Sequence, residues 1–252
     1  MAGKGIADVL FCLDSSTSME PCFDAVRKHI VSFVEGLKSD GQVEWDLRFD
    51  FVSHSTSSFK AGSEIVYRAQ SIYETNLFNA LYQNHAQADG AKLFTSSIND
   101  FVEKINKLNA GGDETNLIAL DTCLDFPWRP GSDCHRVIIL LTDEPLETGL
   151  EIQEQLEKIP DLITKIHSLG VLLFMIGPDS AGYEELSAAN RSTYDVVPKG
   201  NGLATVDFKR VLNQIGKSVS ASRAQVIRGS VNKALFGQNT WVSSSRTEMR
   251  GA

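Results

Sequence analysis

The chain has little of what would staple, anchor or export a protein. Among its 252 residues are only four cysteines, Cys12, Cys22, Cys123 and Cys134, and no C-x-x-C pair. That pattern predicts free, mostly buried thiols rather than a disulfide framework. No stretch approaches ~18 uninterrupted apolar residues, so no membrane-spanning helix is expected. Met1-Ala2-Gly3-Lys4-Gly5 leads straight into an apolar strand, without the charged and apolar regions and small-residue cleavage site of a leader. Basic residues are outnumbered, 24 against 32 acidic, giving a net charge of −8. Phosphate binding needs a basic field, so nucleic acid is not expected as the main partner. His29, His54, His85, His135 and His167 are scattered, with no zinc-ligand spacing. Neither a G-x-S-x-G elbow nor a phosphate-cradling glycine loop with lysine is present. A soluble cytoplasmic protein is the expectation, and 42% hydrophobic residues suffice for a sizeable core.

What is present alternates between strand and helix. Ala7–Leu13 and Arg136–Thr142 are near-continuous apolar runs, which suit parallel strands covered on both faces. Phe23, Val26, Ile30, Phe33, Val34 and Leu37 recur at three and four, predicting a helix from Pro21 to about Lys38. Trp45, Leu47, Phe49 and Phe51 alternate with Asp46, Arg48 and Asp50. This predicts a half-exposed strand towards a sheet edge, followed by a polar turn around Ser53–Ser58. Ile65-Val66-Tyr67 offers a short antiparallel partner. Helices are expected from Ile98 to Leu108, from Thr115 to Leu124, over 150–168 with an interruption or kink at Pro160, near Tyr183, and from Val206 to Val219. Val171–Ile176 and Asp195–Val197 complete the strands. The fold class expected is α/β: a doubly wound, mostly parallel sheet with an antiparallel edge strand and helices on both faces.

Both long apolar strands end in an aspartate. Asp14 opens Asp14-Ser15-Ser16-Thr17-Ser18, and Asp143 closes Leu140-Leu141-Thr142-Asp143. In open α/β sheets, ligands bind beyond the carboxyl ends of the strands, where strand order reverses. Carboxylates and hydroxyls gathered there are hard oxygen donors that suit Mg²⁺. Ser16 and Ser18, alternate residues of one loop, can turn both hydroxyls to one side. Thr115 adds a third. Two aspartates offset the ion's charge, and a coordination position is left for a carboxylate from outside. Each residue alone has a plainer reading: Ser16, Ser18 and Thr115 as helix caps, Asp143 as a turn holder.

Taken together, Asp14-Ser15-Ser16-Thr17-Ser18, Gly111-Gly112-Asp113-Glu114-Thr115 and Leu140-Leu141-Thr142-Asp143 resemble the von Willebrand factor A family. The order, spacing and flanking elements agree over roughly residues 6–220. The resemblance implies a metal-ion-dependent adhesion site with Asp14, Ser16, Ser18, Thr115 and Asp143 as ligands. It implies Mg²⁺, with Mn²⁺ or Ca²⁺ as substitutes, bridging to an acidic side chain of a protein partner. It also implies a non-catalytic role in a multi-protein assembly, beside an ATPase, kinase or phosphatase. Asp113, Glu114 and Glu144 are further acids, expected as solvated loop charges.

Two other classes compete. One is a metal-dependent hydrolase or phosphotransferase with Asp14 as phosphoryl acceptor. Such enzymes usually place a second aspartate two residues on, and here that residue is Ser16. The other is a metal-free scaffold. The domain expected spans 1–221, with an insertion at about 73–93 placed at the end of the sheet opposite the metal. Residues 222–252 form a locally basic tail, with Arg223, Arg228, Lys233, Arg246 and Arg250 against Glu248, expected to be flexible or docked on a partner. Cys134-His135 reads as a loop-to-strand junction.

Overall fold

The computed structural model describes residues 4–39, 44–61, 64–70, 93–130, 134–148, 152–189 and 191–206. Six strands form one sheet: β1 (Lys4–Asp14), β2 (Glu44–Ala61), β3 (Glu64–Gln70), β4 (Cys134–Leu141), β5 (Leu172–Gly177) and β6 (Ser192–Val196). Their order is β3-β2-β1-β4-β5-β6. β2, β1, β4, β5 and β6 run parallel, and β3 lies antiparallel to β2 at one edge. The helices are α1 (Glu20–Ser39), α2 (Ile98–Ile105), α3 (Asn116–Leu124), α4 (Ile152–Leu169), α5 (Ala181–Leu186) and α6 (Gly202–Thr205).

The pleat of each strand sends alternate side chains to two separate cores. Val9, Phe11 and Leu13 of β1 and Val137, Ile139 and Leu141 of β4 pack with α1, α2 and α6 on one face. Leu10, Cys12, Ile138 and Leu140 pack with α3, α4 and α5 on the other. This accounts for the near-continuous apolar runs. Phe101 of α2 is the hub of the first core, with ring centroids 5.8 Å from Phe11 and from Phe49 and 6.1 Å from Phe51. Its helix starts at Ser97, whose side chain accepts from Asp100 N, a standard cap.

Three expectations are corrected. No polar turn interrupts Ser53–Ser58: β2 continues through it to Ala61, because β3 pairs with residues beyond the end of β1. The alternation in β2 marks a face solvated only in part: the Asp46 side chain is 42% exposed, but Asp50 is fully buried and accepts from Phe94 N through Oδ2. β3 does not run to the end opposite Asp14. Its last residue, Gln70, pairs with Ser53, which stands level with Leu13. The insertion at 73–93 therefore follows a strand that stops beside the rim; apart from Leu93 it lies outside the described residues, as do the tail and all of the helix expected over 206–219 except Val206, which is extended. α4 runs through Pro160 as one helix.

The chain moves outward from β1 to β2 and β3, then returns to place β4 on the other side of β1. The reversal of strand order thus falls between β1 and β4, where a doubly wound sheet opens its ligand crevice. Asp14 and Asp143 flank that crevice. At the opposite end of the sheet, buried Asp8 binds Arg48 Nη2 at 2.7 Å and Arg129 Nε at 2.8 Å.

Candidate metal centre

Asp14 is the last residue of β1, and the chain turns sharply after it. Ser16 N donates to Asp14 Oδ1 at 2.8 Å, the side-chain-to-backbone bond that typically stabilises an Asx turn. The Ser16 and Ser18 hydroxyls then lie 2.8 Å apart. Ser18 donates to Asp143 Oδ1 at 3.1 Å, joining the first loop to the loop after β4. Two backbone bonds tie this loop to its neighbours: Ser15 N donates to His54 O at 3.0 Å, and Gly111 N donates to Ser15 O at 2.7 Å. Thr17 N donates to Gly112 O at 2.8 Å. Gly112 has φ +87°, a left-handed conformation that glycine adopts without strain.

Asp14, Ser16, Ser18 and Asp143 are therefore one connected set. Thr115 stands at the same rim. The next residue, Asn116, donates through Nδ2 to Thr142 Oγ1 at 3.1 Å, and Thr142 donates to Asp14 Oδ2 at 2.7 Å. The plainer capping readings fail for two of these residues. Ser16 flanks a short 3₁₀ turn (Thr17–Met19) without a side-chain cap bond, and Thr115 precedes α3 without one.

The electrostatics are those of a site that favours a cation. Asp14 and Asp143 are fully buried, and Asp143 Oδ2 has no hydrogen-bond partner. Burial pushes the Asp143 carboxyl up to about 6, and the neighbouring Asp14 adds to the rise. Glu114 is only 8% exposed and is pushed up to about 7, first by burial and then by Asp14. It is not the solvated loop charge expected from the sequence. Burial, then Asp143 and Asp14, also push the Cys22 thiol up to about 12. Glu144 is ion-paired at 2.6 Å to Lys199, whose loop is fastened by Gly200 N donating to Asp143 O at 3.1 Å.

The donor set fits a hard divalent ion: carboxylate and hydroxyl oxygens, with one buried carboxylate oxygen left without a partner. Among the described residues no group of three or more His, Cys, Asp or Glu could hold a metal ion, so a cation here depends on the hydroxyls. Sequence reasoning found the five candidate ligands but missed their supports. Thr142 sits inside the Leu140-Leu141-Thr142-Asp143 run. Gln155, which reaches α3 from α4, carries no sequence signal. Cys134 and His135 open β4 at the far end of the sheet, as a strand junction.

No family model matches the sequence, and no curated protein matches it. Solved structures do share the fold. Proximal thread matrix protein 1 from the mussel byssus is similar over 84% of this chain and 49% of its own, at 15% identity and TM-score 0.51. The pilus adhesin SpaC from Lactobacillus rhamnosus GG, in an open conformation, is similar over 86% of this chain and 30% of its own, at 14% identity and TM-score 0.52. The chain thus spans about half of the first protein and under a third of the second. Likeness at this identity speaks for the fold alone. No helix among the described residues is long and apolar enough to cross a membrane.

Proposed function

We propose that this chain is a non-catalytic, Mg²⁺-dependent protein-interaction module of the von Willebrand factor A type. Asp14, Ser16, Ser18, Thr115 and Asp143 hold the ion directly or through water, and a partner's carboxylate completes its coordination shell. The observation that carries this reading is Asp143 Oδ2, buried without a hydrogen-bond partner in a set otherwise linked by hydrogen bonds. A buried carboxylate oxygen left unpaired is costly, and a bound cation removes that cost. The ion supplies positive charge for an incoming acid; the chain's own residues hold the ligand oxygens in place.

The partner proposed is an acidic surface of a protein in a multi-protein assembly, with an ATPase, kinase or phosphatase as the class to look for. The compartment proposed is the cytoplasm, supported by four free thiols. Two measurements test the reading. Calorimetry should find Mg²⁺ or Mn²⁺ binding in the wild type and a large loss in Asp14→Ala. A pull-down from native lysate with Mg²⁺ should recover a partner that chelator releases. Equal metal binding by Asp14→Ala and wild type refutes the site.

One observation favours the hydrolase reading. Glu114 is a further buried carboxyl beside Asp14, raised to about 7 by burial and by that charge while no cation is bound, and so a group able to exchange a proton at the rim. Turnover of a generic phosphate ester that saturates and needs both Mg²⁺ and Asp14 would replace the adhesion reading with that one.

A further inference from the structure

We infer that Gln155 is a positioning residue for the metal: it takes over the capping of α3 and so releases the Thr115 hydroxyl to the site. This rests on the metal reading above. An N-cap side chain ordinarily accepts from the backbone N–H two or three positions into the helix, one of the first-turn donors that the helix itself leaves unpaired. Thr115 occupies the N-cap position of α3, and threonine is a favoured residue there, yet it makes no such bond. The N–H two positions on, that of Leu117, instead donates to Gln155 Oε1 at 2.8 Å. Gln155 comes from α4 and is fully buried, so no water competes for that acceptor.

The exchange has a chemical consequence. A threonine hydroxyl engaged as a cap has a lone pair committed to the backbone and a rotamer turned along the helix. Freed of that task, Thr115 can offer its oxygen at the rim, next to Glu114 and to the Asn116–Thr142–Asp14 chain. Without an acceptor on α4, the Leu117 N–H would be a buried orphan. Thr115, at the N-cap, is the residue whose side chain ordinarily satisfies that N–H. Capping and metal binding then compete for one oxygen.

The test is Mg²⁺ and Mn²⁺ calorimetry on the full chain as Gln155→Leu, Gln155→Glu, Thr115→Ala and the double variant Gln155→Leu/Thr115→Ala. Metal-free melting curves are recorded for each. Gln155→Leu should lower metal affinity about ten- to a hundred-fold, the range for supports of metal ligands. Gln155→Glu keeps the acceptor, at a helix N-terminus that tolerates negative charge, and should stay within a few-fold of wild type. The double variant should bind no more weakly than Thr115→Ala, because Gln155 acts only through that hydroxyl. Additive losses, or wild-type affinity in Gln155→Leu, overturn the inference and leave the metal site standing. Absence of binding by the wild-type chain overturns both. Gln155→Met takes the place of Gln155→Leu if the latter does not fold.

Discussion

Ser18 donates its hydroxyl to Asp143 Oδ1 at 3.1 Å across 125 residues of chain, and the other oxygen of that carboxylate is left buried and unpaired. One bond both closes the site and exposes its deficit. The loops from β1 and β4 meet because the two strands are neighbours in register, with Leu13 opposite Leu141. Asp14, Asp143, Glu114 and Glu144 then gather at the meeting point against Lys199, which is ion-paired to Glu144.

Asp143→Asn separates these effects. The amide keeps the size and an acceptor for Ser18 but removes the charge that burial and Asp14 oppose. Metal affinity should collapse. In chelator at neutral pH the variant should melt higher than wild type, by roughly 2–4 °C for each kcal/mol recovered in a domain of this size. Calorimetry and paired melting curves check both parts. A variant that binds metal normally, or that melts lower in chelator, contradicts this account of the carboxylate.

Thr142 should matter almost as much as a ligand. Its hydroxyl donates to Asp14 Oδ2 at 2.7 Å and accepts from Asn116 Nδ2 at 3.1 Å, so it orients the carboxylate that begins the site. Thr142→Val keeps the shape and loses both bonds. A drop of about ten- to a hundred-fold in Mg²⁺ affinity is expected, with recovery in Thr142→Ser. Equal affinities in the valine and serine variants would show that the hydroxyl plays no part.

Much of this was legible in the sequence, for physical reasons that also mark the limits. Asp14 and Asp143 stood out because each ends an apolar run long enough for a doubly covered strand, and the alternation of elements put both at the crevice. The end of β2 was not legible. Ser53–Ser58 resembles a turn in composition, and only pairing with β3 makes it a strand. Glu114 carries nothing in its neighbours to say that the rim buries it. Gln155 lies 38 residues from the N–H it accepts, and only the packing of α4 on α3 brings them together.

Asp8 should contribute to the acid limb of stability. Burial alone would raise its pKa, but the hydrogen bonds and charges of Arg48 and Arg129 outweigh burial and hold it below the usual carboxylate value. The folded chain therefore binds the Asp8 proton less readily than the unfolded chain. The stabilisation is complete above the unfolded value, about 4, and is lost as pH falls through the folded one. Asp8→Asn should cost about 3 kcal/mol at neutral pH, because two guanidinium groups lose their buried partner. The difference from wild type should shrink as pH drops below about 4. Denaturant melts at neutral and acid pH measure it; a constant difference across that range would remove Asp8 from the acid limb.

Glu114→Gln discriminates between the binding and hydrolytic readings. In a binding module, Glu114 is a buried charge beside Asp14 that raises the cost of the metal-free state. The amide should then bind Mg²⁺ within about ten-fold of wild type, melt higher in chelator at neutral pH, and retain the Mg²⁺-dependent partner. In a hydrolase the carboxyl would move a proton, and general acid–base groups typically contribute 10²–10⁴-fold in rate. Loss of phosphate-ester turnover on that scale, with metal affinity intact, would identify Glu114 as the acid or base. Failure to detect turnover in the wild type, with partner capture unchanged in Glu114→Gln, leaves the carboxyl as part of the negative rim that a divalent ion neutralises.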